Sequence, residues 1–298
     1  MILLLGFGLL LLFCAPQVKG QQIVAEGSSP EAVTSGFQFT EGPYWHSDGY
    51  LLFSDIPANT IYKWTPGSKE SEVFMKPSGH SNGITATPEG MLVLAQHDGK
   101  VSVVNWDKNV TTVAKSYEGK RLNSPNDATV ASDGTIYFSD PPFGVSEEKR
   151  ELSFSGVYML KPNETPKLQF DGFSRPNGVV LSPDESKLYV NDSSTGRILV
   201  FDRTEDGPLT NKTEFANVGQ ANDSGAADGM VVDSQGRLYS TGPGGVTVFA
   251  PDREEITFIE ISNQVTNLEW GGPNLNDLYM TTPSTVYRLK MAVTGFKK

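Results

Sequence analysis

Ser174-Arg175-Pro176-Asn177-Gly178-Val179-Val180-Leu181 joins a polar side chain, a glycine and an apolar, β-branched run. The pattern returns five more times. Its marked polar residues are Glu41, Asn82, Asn126, Asn177, Asp228 and Asn267, and only after Asn126 and Asn267 is the glycine replaced, by Asp127 and Leu268. The successive intervals are 41, 44, 51, 51 and 39 residues. That is the period of a propeller blade of four strands, so six repeats predict an all-β, six-bladed β-propeller with four-stranded blades.

Within each repeat the strands can be placed. In four of them a glycine stands eight residues beyond the marked residue (Gly49, Gly90, Gly134 and Gly236), where a hairpin must turn. The fourth and sixth repeats carry Pro183-Asp184-Glu185-Ser186 and Pro273-Asn274-Leu275-Asn276 at that place. A second apolar strand follows each turn, and its far end returns to the face where the first began. Asp55, Gln96, Asp140, Asp192, Gly242 and Thr282 fall there. The segment Ala32–Phe37 is expected to pair with Thr285–Leu289 and close the sixth blade.

The first twenty residues read differently from the rest. Met1 to Gly20 is a leucine-rich run with Val18-Lys19-Gly20 at its end, which reads as a signal peptide removed before Gln21 and leaves residues 21–298 as one propeller domain. No Lys or Arg precedes the apolar run, so a membrane anchor is the alternative. Cys14, the single cysteine, lies in this segment; the mature chain then has neither disulfides nor thiolate metal sites. An exported protein, periplasmic or secreted and no longer attached to a membrane, is the expectation.

The net charge of -11 and pI near 4.8 set the chain against phosphate backbones and anionic lipid, so nucleic acid is not an expected partner. If the first strand of each blade is innermost, the six marked residues ring the central channel at one mouth, every one offering a side-chain oxygen. Two carboxylates among amide oxygens suit a hard divalent cation. Asp55, Asp140 and Asp192 are expected to stand around it. The plain alternative is that Asn and Asp at strand entrances bond nearby backbone.

Glu41-Gly42-Pro43, Asn123-Ser124-Pro125-Asn126-Asp127, Arg175-Pro176-Asn177-Gly178 and Ala227-Asp228-Gly229-Met230 resemble the blade signatures of the SMP-30/gluconolactonase/regucalcin-like propellers. The run from Phe138 to Gly144 resembles the bacterial gluconolactonase branch, and the likeness extends from about Glu31 to Leu289. The resemblance implies a metal-dependent hydrolase of a small-molecule sugar lactone, with a cation held by Glu41, Asn177 and Asp228. Calcium is the expected ion, with Mg²⁺, Mn²⁺ or Zn²⁺ as alternatives. It also implies Asn126 as substrate contact or fourth ligand. Where animal members carry an arginine two residues earlier, this chain has Ser124, and its nearest arginine is Arg121. Asn82, Arg121 and Asp192 join Asn126 as candidate substrate-binding residues.

For the chemistry, a cation at the mouth polarises the lactone carbonyl while a carboxylate takes a proton from water. Asp228 is the base that the resemblance implies, and Asp192 the alternative read from the residues. His46, His80 and His97 show no zinc spacing; of them His80, two residues before Asn82, is the candidate to line the mouth, against an exposed loop histidine. Gly79-His80-Ser81-Asn82-Gly83 fits the nucleophile-elbow pattern but leads into a hairpin rather than a helix. The alternatives in function are a non-catalytic ligand- or protein-binding propeller and a related esterase or organophosphate hydrolase.

Overall fold

A computed structural model describes residues 22–205, 207–222 and 224–296; the proposed signal peptide lies outside the described residues. Six four-stranded antiparallel sheets are the blades. The innermost strands are Thr40–His46, Ser81–Ala86, Ala128–Val130, Pro176–Leu181, Met230–Val232 and Asn267–Gly271. In each blade the chain meanders outward by hairpins. The predicted turn glycines Gly49, Gly90, Gly134 and Gly236 have φ of +77° to +86°, which a residue with a Cβ rarely adopts. The two glycine-free turns put Glu185 and Leu275 at φ of +57° and +51° instead.

The ring closes as the sequence predicts. Glu31–Ser35 pairs antiparallel with Thr285–Lys290, Glu31 opposite Arg288 and Ser35 opposite Thr285, so the sixth blade takes its outer strand from the start of the domain. Ends of the chain far apart in sequence thereby hold one sheet together. Apolar side chains on the facing surfaces of neighbouring blades form the core; Leu52, Ile61 and Met75 of the first blade, for example, pack on Ile84, Leu92 and Leu94 of the second. Burying each such side chain contributes about 1.5–3 kcal/mol relative to leaving it in water.

Around the channel a second set of contacts ties blade to blade. Ser54 Oγ donates to the carbonyl of Asn82 at 2.8 Å, the Gly83 N–H to that of Asn126 at 2.8 Å, and Ser139 Oγ to that of Asn177 at 2.7 Å. Asn191 Nδ2 continues to the carbonyl of Asp228 at 2.6 Å, the Gly229 N–H to Thr266 at 2.8 Å, and Thr266 Oγ1 back to Thr40 at 2.8 Å. Each bond satisfies a backbone group that would otherwise be buried unpaired. This crowding also explains the recurring glycine. A Cβ at Gly229 would lie 1.9 Å from Asn267 Oδ1, and one at Gly42 2.0 Å from the carbonyl oxygen of Asn82. The pattern polar residue then glycine thus marks where the backbone of one blade touches the next.

Candidate active site at the channel mouth

All six marked residues lie at the ring-side start of the innermost strands and are buried. Two of the amides, those of Asn82 and Asn177, are held by their nitrogen ends. Asn82 Nδ2 lies 3.1 Å from His97 Nε2, and Asn177 Nδ2 donates to Ser193 Oγ at 2.9 Å. Their oxygens, together with Asp228 Oδ1, are buried with no hydrogen-bond partner. Unpaired buried acceptors cost about 1–3 kcal/mol each, so three at one mouth require an explanation in a ligand. Glu41 Oε2 accepts from the Gly42 N–H at 2.9 Å and from Asn267 Nδ2 at 3.0 Å, joining the first blade to the sixth.

The electrostatics agree. Burial pushes the Glu41 carboxyl up to about 7, and burial, reinforced by the charges of Glu41 and Asp127, holds Asp228 well above the ordinary carboxylate range. Asp127 is likewise pushed up to about 7 by burial, against hydrogen bonds from the Ala128 and Val179 N–H groups. Burial, and the charge of Asp127 on Glu41 and of both on Asp228, oppose ionising all three together, and a compensating cation would relieve that. Among the described residues no group of three or more His, Cys, Asp and Glu side chains could hold a metal ion; the ring instead combines the two carboxylates with amide oxygens. Acceptor-only oxygens without partners suit a hard cation, and the donor set passes that test of chemistry.

The carboxylates expected around the cation have another occupation. Asp55 accepts from the Gln38 and Phe39 N–H groups, Asp140 from those of Asn123 and Ser124, and Asp192 from those of Ser174 and Arg175. In each blade these are the residues three and two before the ring residue. A carboxylate at the end of the second strand therefore clamps the incoming chain, and Asp192 also receives the N–H groups of Ser194 and Thr195. That binding occupies both Asp192 oxygens. Asn126 is in the ring, its own N–H bonded to the Ser139 carbonyl at 2.9 Å and its carbonyl to the second blade.

Arg121 stands outside the ring. Its Nη1 donates to the carbonyls of Leu122 and Asn123, both at 2.6 Å, and it lines a cavity of about 700 Å³ with His97, Asp98, Ser146, Lys149 and Arg150. The roof is the segment that interrupts the third blade, in which Glu147–Lys149 makes one 3-10 turn. Ser124, at the position where animal relatives carry arginine, accepts the Gly144 N–H at 2.8 Å and so anchors that segment. His80 is an exposed loop histidine bonded to Asp98 at 2.8 Å. The histidine at the ring is His97, which sequence reading passed over; its place one residue beyond a second-strand end was the available signal. Ser81 begins an inner strand, not a helix, which excludes the nucleophile elbow.

Residues 39–284 match the SMP-30/Gluconolactonase/LRE-like region. The chain is 39% identical over 262 residues to a gluconolactonase of Zymomonas mobilis, covering 78% of this chain and 72% of that protein. It is 27% identical over 259 residues to regucalcin of Xenopus laevis, covering 84% and 85%. The solved structure of a gluconolactonase from Xanthomonas campestris superposes with a TM-score of 0.80 at 29% identity over 91% of each chain. The fold, the blade signatures and these matches together place the chain in the SMP-30/gluconolactonase/LRE-like family.

Proposed function

We propose that this protein opens a sugar lactone at the channel mouth, with a divalent cation held by Glu41, Asn177 and Asp228. The observation that carries the reading is the pair of unpaired buried oxygens on Asn177 and Asp228 beside the buried Glu41 carboxyl group, with the unpaired Asn82 oxygen at the same mouth left for the substrate. Lactone hydrolysis, a carboxylic ester cleavage, is the activity named for the relatives from Zymomonas mobilis and Xanthomonas campestris. When bound, the cation supplies Lewis acidity to the carbonyl oxygen and charge for the developing oxyanion.

The chain's own residues do the rest. Asp228 takes a proton from the attacking water, a role supported by its free Oδ1 and by burial, which raises its affinity for protons above that of an ordinary carboxylate. Asp192 is the weaker candidate because four backbone N–H groups occupy its oxygens. Addition of hydroxide to the carbonyl carbon is followed by cleavage of its bond to the ring oxygen, which leaves as an alkoxide and takes up the proton. Asn126, in the ring, is proposed to meet a hydroxyl group of the bound sugar, whereas Arg121, bonded to the Leu122 and Asn123 carbonyls outside the ring, is the weaker candidate for such a contact. Export of the mature domain, read from the leucine-rich start, is part of the same proposal.

The test is pH-stat titration of glucono-1,5-lactone, glucono-1,4-lactone, a pentonolactone and an unsubstituted ester. Acid release above the spontaneous rate on one of the sugar lactones, and slower turnover of the simple ester, is the expected result. A protein inert to all of these lactones contradicts the proposal.

A further inference from the structure

An asparagine side chain can present either end of its amide, and at Asn82 one contact decides which. The Asn82 Nδ2 nitrogen can only donate, so at 3.1 Å from His97 Nε2 it requires that nitrogen to be the acceptor and the imidazole to carry its proton on Nδ1. Asn82 Oδ1 is then the free end, buried and without a partner inside the ring. The imidazole is held in turn. The main-chain N–H of His97 donates to the His80 carbonyl at 3.0 Å, and Gly144 lies so close that a Cβ there would stand 2.6 Å from His97 Cβ.

The fourth blade repeats the device with different chemistry. Ser193, one residue beyond the second strand ending at Asp192, fixes Asn177; His97, one residue beyond the strand ending at Gln96, fixes Asn82. Two blades thus place an acceptor at one register position, and in both the amide oxygen is the end left unpaired. His97 also lines the 700 Å³ cavity, so Asn82 sits at the boundary between that cavity and the ring.

We propose that His97 is a positioning residue that locks Asn82 with its oxygen toward the bound lactone, making Asn82 Oδ1 a fixed acceptor for a substrate hydroxyl group. The inference rests on the lactonase reading for its substrate, but not for its geometry. Without the imidazole acceptor the amide turns freely and presents its NH₂ half of the time, and hydroxyl recognition weakens. Glutamine at this position offers an acceptor oxygen and should substitute; phenylalanine keeps the ring and offers none.

The experiment has two arms. In the first, nitrogen-15 NMR of the intact wild-type protein reads the His97 tautomer: a proton on Nδ1 is expected, and one on Nε2 overturns the proposal. In the second, kcat/KM is measured for a hydroxylated lactone and for δ-valerolactone, which has no hydroxyl groups, with Tm recorded for every variant. His97→Phe should lose about tenfold on the hydroxylated lactone and little on δ-valerolactone, His97→Gln should recover most of the loss, and His97→Phe in an Asn82→Ala background should add nothing. Equal losses on both substrates, or effects that multiply in the double variant, overturn it. A wild type inert to every lactone defeats the proposed function, and the tautomer then decides this proposal alone.

Discussion

Asp228→Asn is expected to lower kcat/KM for the lactone by roughly a thousandfold or more while leaving Tm within a few degrees of wild type or raising it. General-base catalysis contributes about 10²–10⁴-fold, and the substitution also removes one charge from the donor set proposed for the cation. The stability half of the expectation follows from the ring's own repulsion. Asp228 is buried beside Glu41 and Asp127, and a neutral amide relieves that crowding in the cation-free protein. Steady-state kinetics with thermal unfolding on the same preparation checks both halves. Activity within tenfold of wild type would remove Asp228 from the reaction.

In the absence of divalent cations, the protein is expected to lose stability as the pH rises from about 5 to 8. Glu41 and Asp127 are both pushed up to about 7, and Glu269, one layer below the ring, up to about 8, in each case by burial. A carboxyl group whose proton affinity is raised in the folded state stabilises the fold fully below its unfolded pKa. That contribution disappears as pH climbs through the folded value. The carboxylates shifted the other way, Glu72, Asp133, Glu164, Asp184 and Asp202, lose their contribution only in more acidic solution, so they do not offset the effect in this window. A tenfold rise in proton affinity is worth about 1.4 kcal/mol, so a single tenfold rise at two of these groups, about 3 kcal/mol, already moves Tm by roughly 5–10 °C, and chelated protein should melt at least that much lower at pH 8 than at pH 5. Millimolar Ca²⁺ should restore most of the difference at pH 8, because a cation favours the ionised ring. A Tm that stays flat or rises with pH in chelator would show that these carboxyl groups are not strained.

The parts of this protein that repeat were readable before its structure. Six Asn, Glu or Asp residues at blade spacing gave the number of blades, the inner strands and the mouth, because a repeated unit must place equivalent residues at equivalent points of a ring. The pairing of Glu31–Ser35 with the last strand followed from the need to complete the sixth blade. What repetition could not separate was the purpose of two sets of oxygens at the same mouth. Asp55, Asp140 and Asp192 recur at one register position in three of the six blades, yet they recur because each clamps the incoming chain of its own blade. The two sets differ in which buried oxygens have partners, and partners across a sheet are set by register rather than by order in the chain.

His97 shows the other limit. Apart from its place one residue beyond a second-strand end, nothing in Gln96-His97-Asp98 distinguishes it from a turn histidine, and its neighbour in sequence, Asp98, is bonded to His80 rather than to the ring. Its contact to Asn82 exists because a hairpin brings residues fifteen apart to one edge of the channel. The cavity over His97 and Arg121 is equally a product of the roof, a blade interruption whose sequence from Val145 to Arg150 resembles any solvated loop.

The most direct measurement is lactone hydrolysis followed by pH-stat in one sample carried through chelation and then restored with Ca²⁺, Mg²⁺, Mn²⁺ or Zn²⁺ in turn, beside Asp228→Ala treated in the same way. The ring of Glu41, Asn177 and Asp228 predicts that activity falls to the spontaneous rate after chelation, returns with at least one of these ions, and never appears in the variant. Wild-type activity that survives complete removal of divalent cations would contradict the account at its centre.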